Sequence, residues 1–304
     1  MKPLILGTRG SDLALAQARL VREALEIAHP GIVIEQKLIT TTGDSRTAMP
    51  LDKPTSEGAG LFTKQLEDAL LSGEIDIAVH SLKDLPVETP PGLVLAAILP
   101  RAPIDDLLIS KHAGGLAGLP SGASVGSSSP RRALLLKNRR PDLQTLLIRG
   151  NVPTRLAKVA NGEHYDATIL AAAGLHRLGH NPFLSSLVID GITLSLERLD
   201  WMLPSPGQGA IAVETRDDDR AVQWLSPLHD AETASCVETE RLLLKHIGGG
   251  CHLALGALAI RSAHGVSLRA VFVPDEFSAP RFGEALAETP AETALLVANQ
   301  LRFP

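Results

Sequence analysis

Apolar residues recur along this chain with two periods, and the alternation between them predicts an α/β layout. Leu13, Ala16, Leu20, Ala24 and Ile27 fall at helical spacing directly behind the polar stretch Gly7-Thr8-Arg9-Gly10-Ser11-Asp12. Leu61 to Leu71 carries a second helical pattern, with Gly73 placed to stop it as the residue after the cap. The β-branched run Ile75 to Val79 then predicts a buried strand, and His80, Ser81, Lys83 and Asp84 follow at its carboxyl end. In open α/β sheets, ligands collect beyond the carboxyl ends of strands, so these polar side chains fall where a pocket is expected. An ordinary polar loop is the alternative.

The same junction recurs twice. Ser127-Ser128-Ser129-Pro130 followed by Arg131-Arg132-Ala133-Leu134-Leu135-Leu136 reads as a strand end, an N-cap serine, proline at N1 and a helix. Two arginines in a first turn oppose the helix dipole by up to about 1 kcal/mol each, unless an anion also occupies the exposed N–H groups. Leu147 to Arg155 is the third junction, with Gly150 allowing close approach and Pro153 near a helix start. Ile39 to Gly60 differs in kind: it has no period and many breakers, as a mobile lid or a disordered segment would, and its position on the site side favours a lid. Farther on, a helical pattern from Thr233 to His246 ends at Gly248-Gly249-Gly250-Cys251-His252, and Val266 to Val273 predicts a strand.

At 304 residues and 44% hydrophobic content the chain is long enough for two or three compact units. No apolar run approaches a membrane span, and Leu4-Ile5-Leu6 passes straight into Gly7-Thr8-Arg9, too short for a signal peptide; a cytoplasmic protein is expected. The two cysteines, Cys236 and Cys251, bracket most of the last helix, whose rise would hold them roughly 15 to 20 Å apart, too far for a disulfide. With His246 and His252 they make no familiar zinc spacing, so no metal is expected. Cys251 reads either as a small buried hydrophobe or as a thiol presented by the glycines for covalent attachment.

Net charge is −5, yet Arg131 to Arg155 holds seven cations against the single anion Asp142. Arginines pair carboxylates and phosphates in bidentate fashion, which favours a small polyanion as ligand. Nucleic acid is not expected: aromatics are 3% of the chain and none interleaves with these arginines, so stacking platforms are missing.

Taken in order, Gly7-Thr8-Arg9-Gly10-Ser11, Gly60-Leu61-Phe62-Thr63-Lys64, Ala78 to Pro86, Val125 to Arg132, Arg149-Gly150-Asn151, Pro206-Gly207-Gln208-Gly209-Ala210 and Glu240-Arg241 through Cys251 resemble the hydroxymethylbilane synthase, or porphobilinogen deaminase, family over nearly the whole chain. The resemblance implies two periplasmic-binding-protein-like α/β domains joined by two hinge crossings, residues 1–99 with 204–216 and residues 100–203. A small α/β domain over 217–304 would follow. It implies a dipyrromethane cofactor bound through a thioether to Cys251, to which four porphobilinogen units are added with loss of ammonia before hydrolysis releases the product. Asp84 would be catalytic, with Lys83 beside it. Ser81, Lys83, Asp84, Ser127, Ser128, Ser129, Arg131 and Arg132 would hold the cofactor, and Arg9, Ser11, Arg149, Arg155 and Arg177 the substrate. A monomer is implied, with a transient hand-off of product to uroporphyrinogen-III synthase. Ala59, Pro130 and Ala254 depart from the family's usual lysine, leucine and proline. The rival from another class is a non-enzymatic binding protein for a small polyanion, since fold alone does not fix function. A pyridoxal or nicotinamide enzyme is less expected, because no G-x-G-x-x-G follows the first strand.

Overall fold

A computed structural model describes residues 2–40, 63–218, 220–250 and 253–302. Most of the stretch read as a lid, and Cys251, lie outside the described residues. The chain opens with β1 (Leu4–Thr8), α1 (Asp12–Ala28) and β2 (Ile34–Leu38), continues with α2 (Lys64–Leu71), β3 (Ile77–Ser81) and β4 (Leu93–Ile98). Ser11 caps α1 as its polar position before an apolar run requires, accepting from the Ala14 N–H at 3.4 Å. The face of α1 that carries Ala18, Val21 and Leu25 is buried on Leu4, Leu6, Ile77 and Val79. Full burial of each of the larger side chains in that cluster is worth about 1.5–3 kcal/mol.

The chain then crosses into a second sheet built from β5 (Asp106–Ser110), β6 (Ser124–Gly126), α3 (Pro130–Arg139), β7 (Gln144–Leu146), α4 (Val152–Ala160), β8 (Ala167–Ala171), α5 (Ala172–Arg177), β9 (Ser186–Ile189) and β10 (Ile192–Arg198). Its strand order is β7-β6-β8-β5-β10-β9. The expected serine cap and N1 proline are present: Ser129 precedes α3 and Pro130 opens it. Asn151 caps α4, accepting from the Thr154 N–H at 3.0 Å.

A return crossing leads to β11 (Ile211–Arg216), which enters the first sheet between β3 and β4, antiparallel to both, giving the order β2-β1-β3-β11-β4. This late arrival moves the expected strand: Ala212 pairs with His80 and Ile211 with Ser81, so β3 runs two residues past Val79. The partner responsible is more than a hundred residues away, beyond the reach of any local pattern.

The last part contains α6 (Ala221–Leu225), α7 (Ala231–Ile247), the antiparallel strands β12 (Ala254–Ser262), β13 (Gly265–Val273) and β14 (Arg281–Ala287), and α8 (Pro290–Arg302). Asp230 caps α7 through the Thr233 N–H at 2.7 Å, and Gly248, at φ 124°, ends it as a glycine in a left-handed conformation can. Apolar clusters join this unit to both sheets: Ala254, Val271 and Val273 pack with Val125 and Leu135 of the second, while Val237 packs with Leu82 and Ile98 of the first. Among the described residues no buried apolar cluster joins the first sheet to the second. The buried polar residues Asp106, Arg131, Arg132 and Gln208 form a polar edge where the chain crosses between the two sheets. The α/β class expected from the sequence is the class observed.

Candidate active site

β3 ends in a single 3-10 turn, Leu82–Asp84. Leu82 is buried with Leu85, Ile98, Ala210 and Val237, which fixes the turn from below. Arg241 on α7 fixes the loop beyond it, donating to the carbonyls of Leu85 at 3.3 Å, Pro86 at 2.7 Å and Val87 at 3.0 Å. Asp84 is exposed and has no hydrogen-bond or ion-pair partner among the described residues. Ser81 accepts from Gln17 Nε2 of α1 at 2.7 Å. His80 does not join this group: it is buried, with Nε2 3.2 Å from Glu214 Oε2, because its pairing with β11 carries it into the sheet.

Across the polar edge, Arg131 and Arg132 converge on Asp106 of β5. Arg131 Nη1 lies 2.7 Å from Oδ2, and Arg132 Nε and Nη2 donate to Oδ1 at 3.1 and 2.7 Å. The two arginines of the first turn of α3 are therefore partly neutralised by a carboxylate of the protein itself, which contacts their guanidiniums and not the helix N–H groups. Burial alone would raise the Asp106 carboxyl, but the two guanidiniums outweigh it and hold it well below the usual carboxylate range. One carboxylate against two guanidiniums leaves a positive charge over. Arg131 Nη1 also donates to Leu203 O and Arg132 Nη1 to Ile169 O, while Arg131 Nε is buried with no partner among the described residues.

Lys83 and Arg155 belong to the same field. Lys83 is pushed down to about 8, first by desolvation, with Asp84 opposing and Arg132 adding to the fall. Its side chain keeps some contact with solvent, but protein crowds it from most sides, and that crowding is the dominant cause. Arg155 is lowered by burial and by Arg132, with Asp84 again opposing, and its Nε donates to Gly150 O at 2.8 Å. Lys83, Arg131, Arg132 and Arg155 thus face Asp84 and Asp106, and the set is net positive.

The remaining residues singled out in the sequence stand at helix starts and ends, and Arg177 lines a separate pocket with Asp12, Arg19 and His176. Arg177 donates to Gly209 O at 2.6 Å and is lowered to about 10 by desolvation. Ser11 and Ser129 serve as caps. Ser127 Oγ accepts from the Ser129 N–H at 3.2 Å, and Ser128 Oγ donates to Ile148 O. Arg9 and Arg149, each half-buried, stand near the starts of α1 and α4. A cleft of about 450 Å³, its open mouth included, is lined by Lys83, Asp84, Pro206, Leu244, Gly250 and Leu253 among others. Gly250 and Leu253 flank the undescribed pair 251–252 in the chain.

The model of the porphobilinogen deaminase dipyromethane cofactor binding domain matches residues 4–224, and that of the porphobilinogen deaminase C-terminal domain matches residues 234–302. The chain belongs to the porphobilinogen deaminase family. A porphobilinogen deaminase from Roseiflexus sp. (strain RS-1) is 47% identical over 259 residues, covering 84% of this chain and 81% of that one. One from Rubrobacter xylanophilus is 42% identical over 299 residues, covering 98% and 93%. Among solved structures, the periplasmic VFT2 domain of BvgS from Bordetella pertussis superposes with TM-score 0.42 at 15% identity, covering 74% of this chain and 86% of that one. A periplasmic binding protein from Salmonella typhimurium does so with TM-score 0.40 at 11% identity, covering 77% and 95%.

The cofactor of this family is a dipyrromethane, and the residues present fit such a group. A carboxylate-bearing pyrrole needs cations in excess, which Lys83, Arg131, Arg132 and Arg155 supply, and the buried Arg131 Nε–H lacks an acceptor. Its N–H groups need an acceptor in turn, and Asp84, with no hydrogen-bond partner among the described residues, fits that need. Sequence reasoning missed Gln17, Arg101, Asp106, Gln208, Glu240 and Arg241 as framework of this site. Asp106 left a readable signal, an acid directly ahead of the apolar run Leu107-Leu108-Ile109. Gln208, Glu240 and Arg241 stood inside motifs that carry the resemblance, without a role, and Gln17 and Arg101 left no signal, because their partners are distant in sequence.

Proposed function

We propose that this chain is a hydroxymethylbilane synthase, which condenses four porphobilinogen molecules head to tail, releases one ammonia per addition and hydrolyses off the linear product. The observation that carries the reading is the exposed carboxylate of Asp84, without a hydrogen-bond or ion-pair partner among the described residues, beside the net-positive group of Lys83, Arg131, Arg132 and Arg155. The dipyrromethane, which Cys251 would carry through a thioether, supplies the pyrrole carbon to which the first unit is joined. Support for Cys251 in that role comes from Gly250 and Leu253, its near neighbours in the chain, which line the cleft with Lys83 and Asp84.

Each porphobilinogen brings an acetate and a propionate, and Arg9, Ser11, Arg149, Arg155 and Arg177 are assigned to bind them. Ser81, Ser127, Ser128, Ser129, Arg131 and Arg132 are assigned to the cofactor side, several of them through the backbone they shape. When ammonia leaves the substrate, positive charge develops on its pyrrole ring. Asp84 stabilises that charge and accepts from the ring N–H, and a fixed carboxylate does so best where water is scarce. Lys83, at about 8, is mostly charged near neutrality and binds a substrate carboxylate.

The same reading assigns 1–99 with 204–216 and 100–203 as two domains hinged at their crossings, and 217–304 as the third. A hinge there lets one fixed carboxylate serve a lengthening product. The protein is proposed to act as a cytoplasmic monomer that passes its product to uroporphyrinogen-III synthase. No helix among the described residues is long and apolar enough to cross a membrane.

Intact mass of the purified protein beside Cys251→Ser tests the reading. An excess equal to two linked pyrrole units, lost in the variant, is expected. An unmodified native chain that also fails to consume porphobilinogen would favour a polyanion-binding protein instead.

A further inference from the structure

Consecutive residues of the return crossing touch three different parts of the molecule. The Gly207 N–H donates to Glu240 Oε2 on α7 at 2.7 Å. The Gln208 carbonyl accepts from Arg101 Nε at 2.9 Å, and its side-chain amide donates to Ile104 O at 2.6 Å and to Asp106 Oδ1 at 3.0 Å. Gly209 O accepts from Arg177 Nη2. Gly209 has φ +88°, and a Cβ there would lie 2.5 Å from Ala102 O, so the two crossings approach as closely as glycine allows.

Gln208 is fully buried, and its Oε1 has no partner among the described residues. Turning the amide over would give up both bonds that it donates, so these two bonds hold it in its orientation. One of those bonds ends on the oxygen that also receives Arg132 Nε and Nη2, in the carboxylate that faces Arg131 Nη1. We infer that Gln208 is a positioning residue: it orients Asp106, and through Asp106 it aims the Arg131 and Arg132 guanidiniums and ties their direction to the crossing between the two sheets. It touches no substrate. Its bearing on turnover rests on the proposed function, whereas its hold on the arginines does not.

The test is Gln208→Met, which keeps the length and removes the donor, read by mass-mapped modification of arginines with phenylglyoxal and by steady-state kinetics. Arg131 and Arg132 are expected to react at least about threefold faster than in the native protein, with Arg155 unchanged. KM for porphobilinogen is expected to rise about tenfold with kcat within about threefold, as loss of uniform binding does. Both increments are expected to vanish in an Asp106→Asn background, since residues acting through one group are non-additive. Should Gln208→Met not fold, Gln208→Leu, which also removes the donor and adds no charge, enters the same assays with the same expectation. Unchanged arginine reactivity, a fall in kcat at constant KM, or full additivity with Asp106→Asn would overturn the inference. A native protein inert toward porphobilinogen would sink the enzymatic reading alone, and arginine reactivity would still decide this one.

Discussion

Two charged pairs stand close to α7, and they are built to opposite ends. Arg101 and Glu240 form a closed pair, with Nη1 and Nη2 donating to the two carboxylate oxygens at 2.7 and 2.9 Å. Glu240, whose side chain is 0% exposed, also accepts from the N–H groups of Gly207 at 2.7 Å and Ala259 at 3.0 Å. Lys83 and Asp84 have no hydrogen-bond partner among the described residues, and the lysine is crowded enough to lose part of its basicity. The first pair is consumed by architecture and joins both crossings to the last unit. The second has its charges unused by the described framework, as the proposed function requires of a ligand site. Asp106 with Arg131 and Arg132 is intermediate, since its Oδ1 takes three hydrogen bonds and its Oδ2 faces Arg131, but one positive charge remains.

The closed pair is the place to look for the largest effect. Removing one partner of a buried pair strands the other, at a cost of about 3–5 kcal/mol. Arg101→Met is therefore expected to lower the denaturation midpoint sharply; a loss below about 1 kcal/mol would mean that Glu240 finds water and that the pair is not closed.

Asp84→Asn keeps shape and removes charge. Turnover is expected to drop by about 10²-fold or more, the scale of one preorganised electrostatic group, while the melting temperature stays near that of the native protein. Near-native turnover would remove Asp84 from the chemistry and with it the contrast between the two pairs.

Lys83→Met separates stability from function by pH. Because the folded value, about 8, lies below the lysine's ordinary 10.5, the unfolded chain binds more protons between these values, and stability rises with pH across that window. Below about 8 the native state carries the full cost of a charged, crowded ammonium. Lys83→Met is thus expected to melt higher than the native protein at pH 7, with the advantage shrinking toward pH 10 and activity reduced throughout. A variant that melts lower at pH 7 would show that Lys83 is paired after all.

The smallest effect calibrates the others. Asp230→Ala removes the cap of the helix that carries Glu240 and Arg241, for about 1 kcal/mol. A guanidinium titration that ranks this change above Arg101→Met would invert the comparison.

Much of the framework was legible beforehand because its causes are local. The Ser129 cap with Pro130 at N1, the Gly73 and Gly248 stops and the strand at 265–273 each depend on residues within a turn or a pleat of one another. The basic segment and its preference for a polyanion were equally plain. What could not be read was the fate of each charge. His80 looked like a pocket residue and is buried against Glu214, and the arginine pair that seemed to await an external anion already holds Asp106.

The sequence by itself therefore determined the alternation of helices and strands, the junctions where polar residues follow strand ends, and family membership through motifs in fixed order. Tertiary structure alone decided which ionisable groups are spent and which are left free. The reason is range: caps and periodicity act over three or four residues, whereas the side-chain contacts that distinguish a strut from a binding site join positions 26, 134 and 139 residues apart.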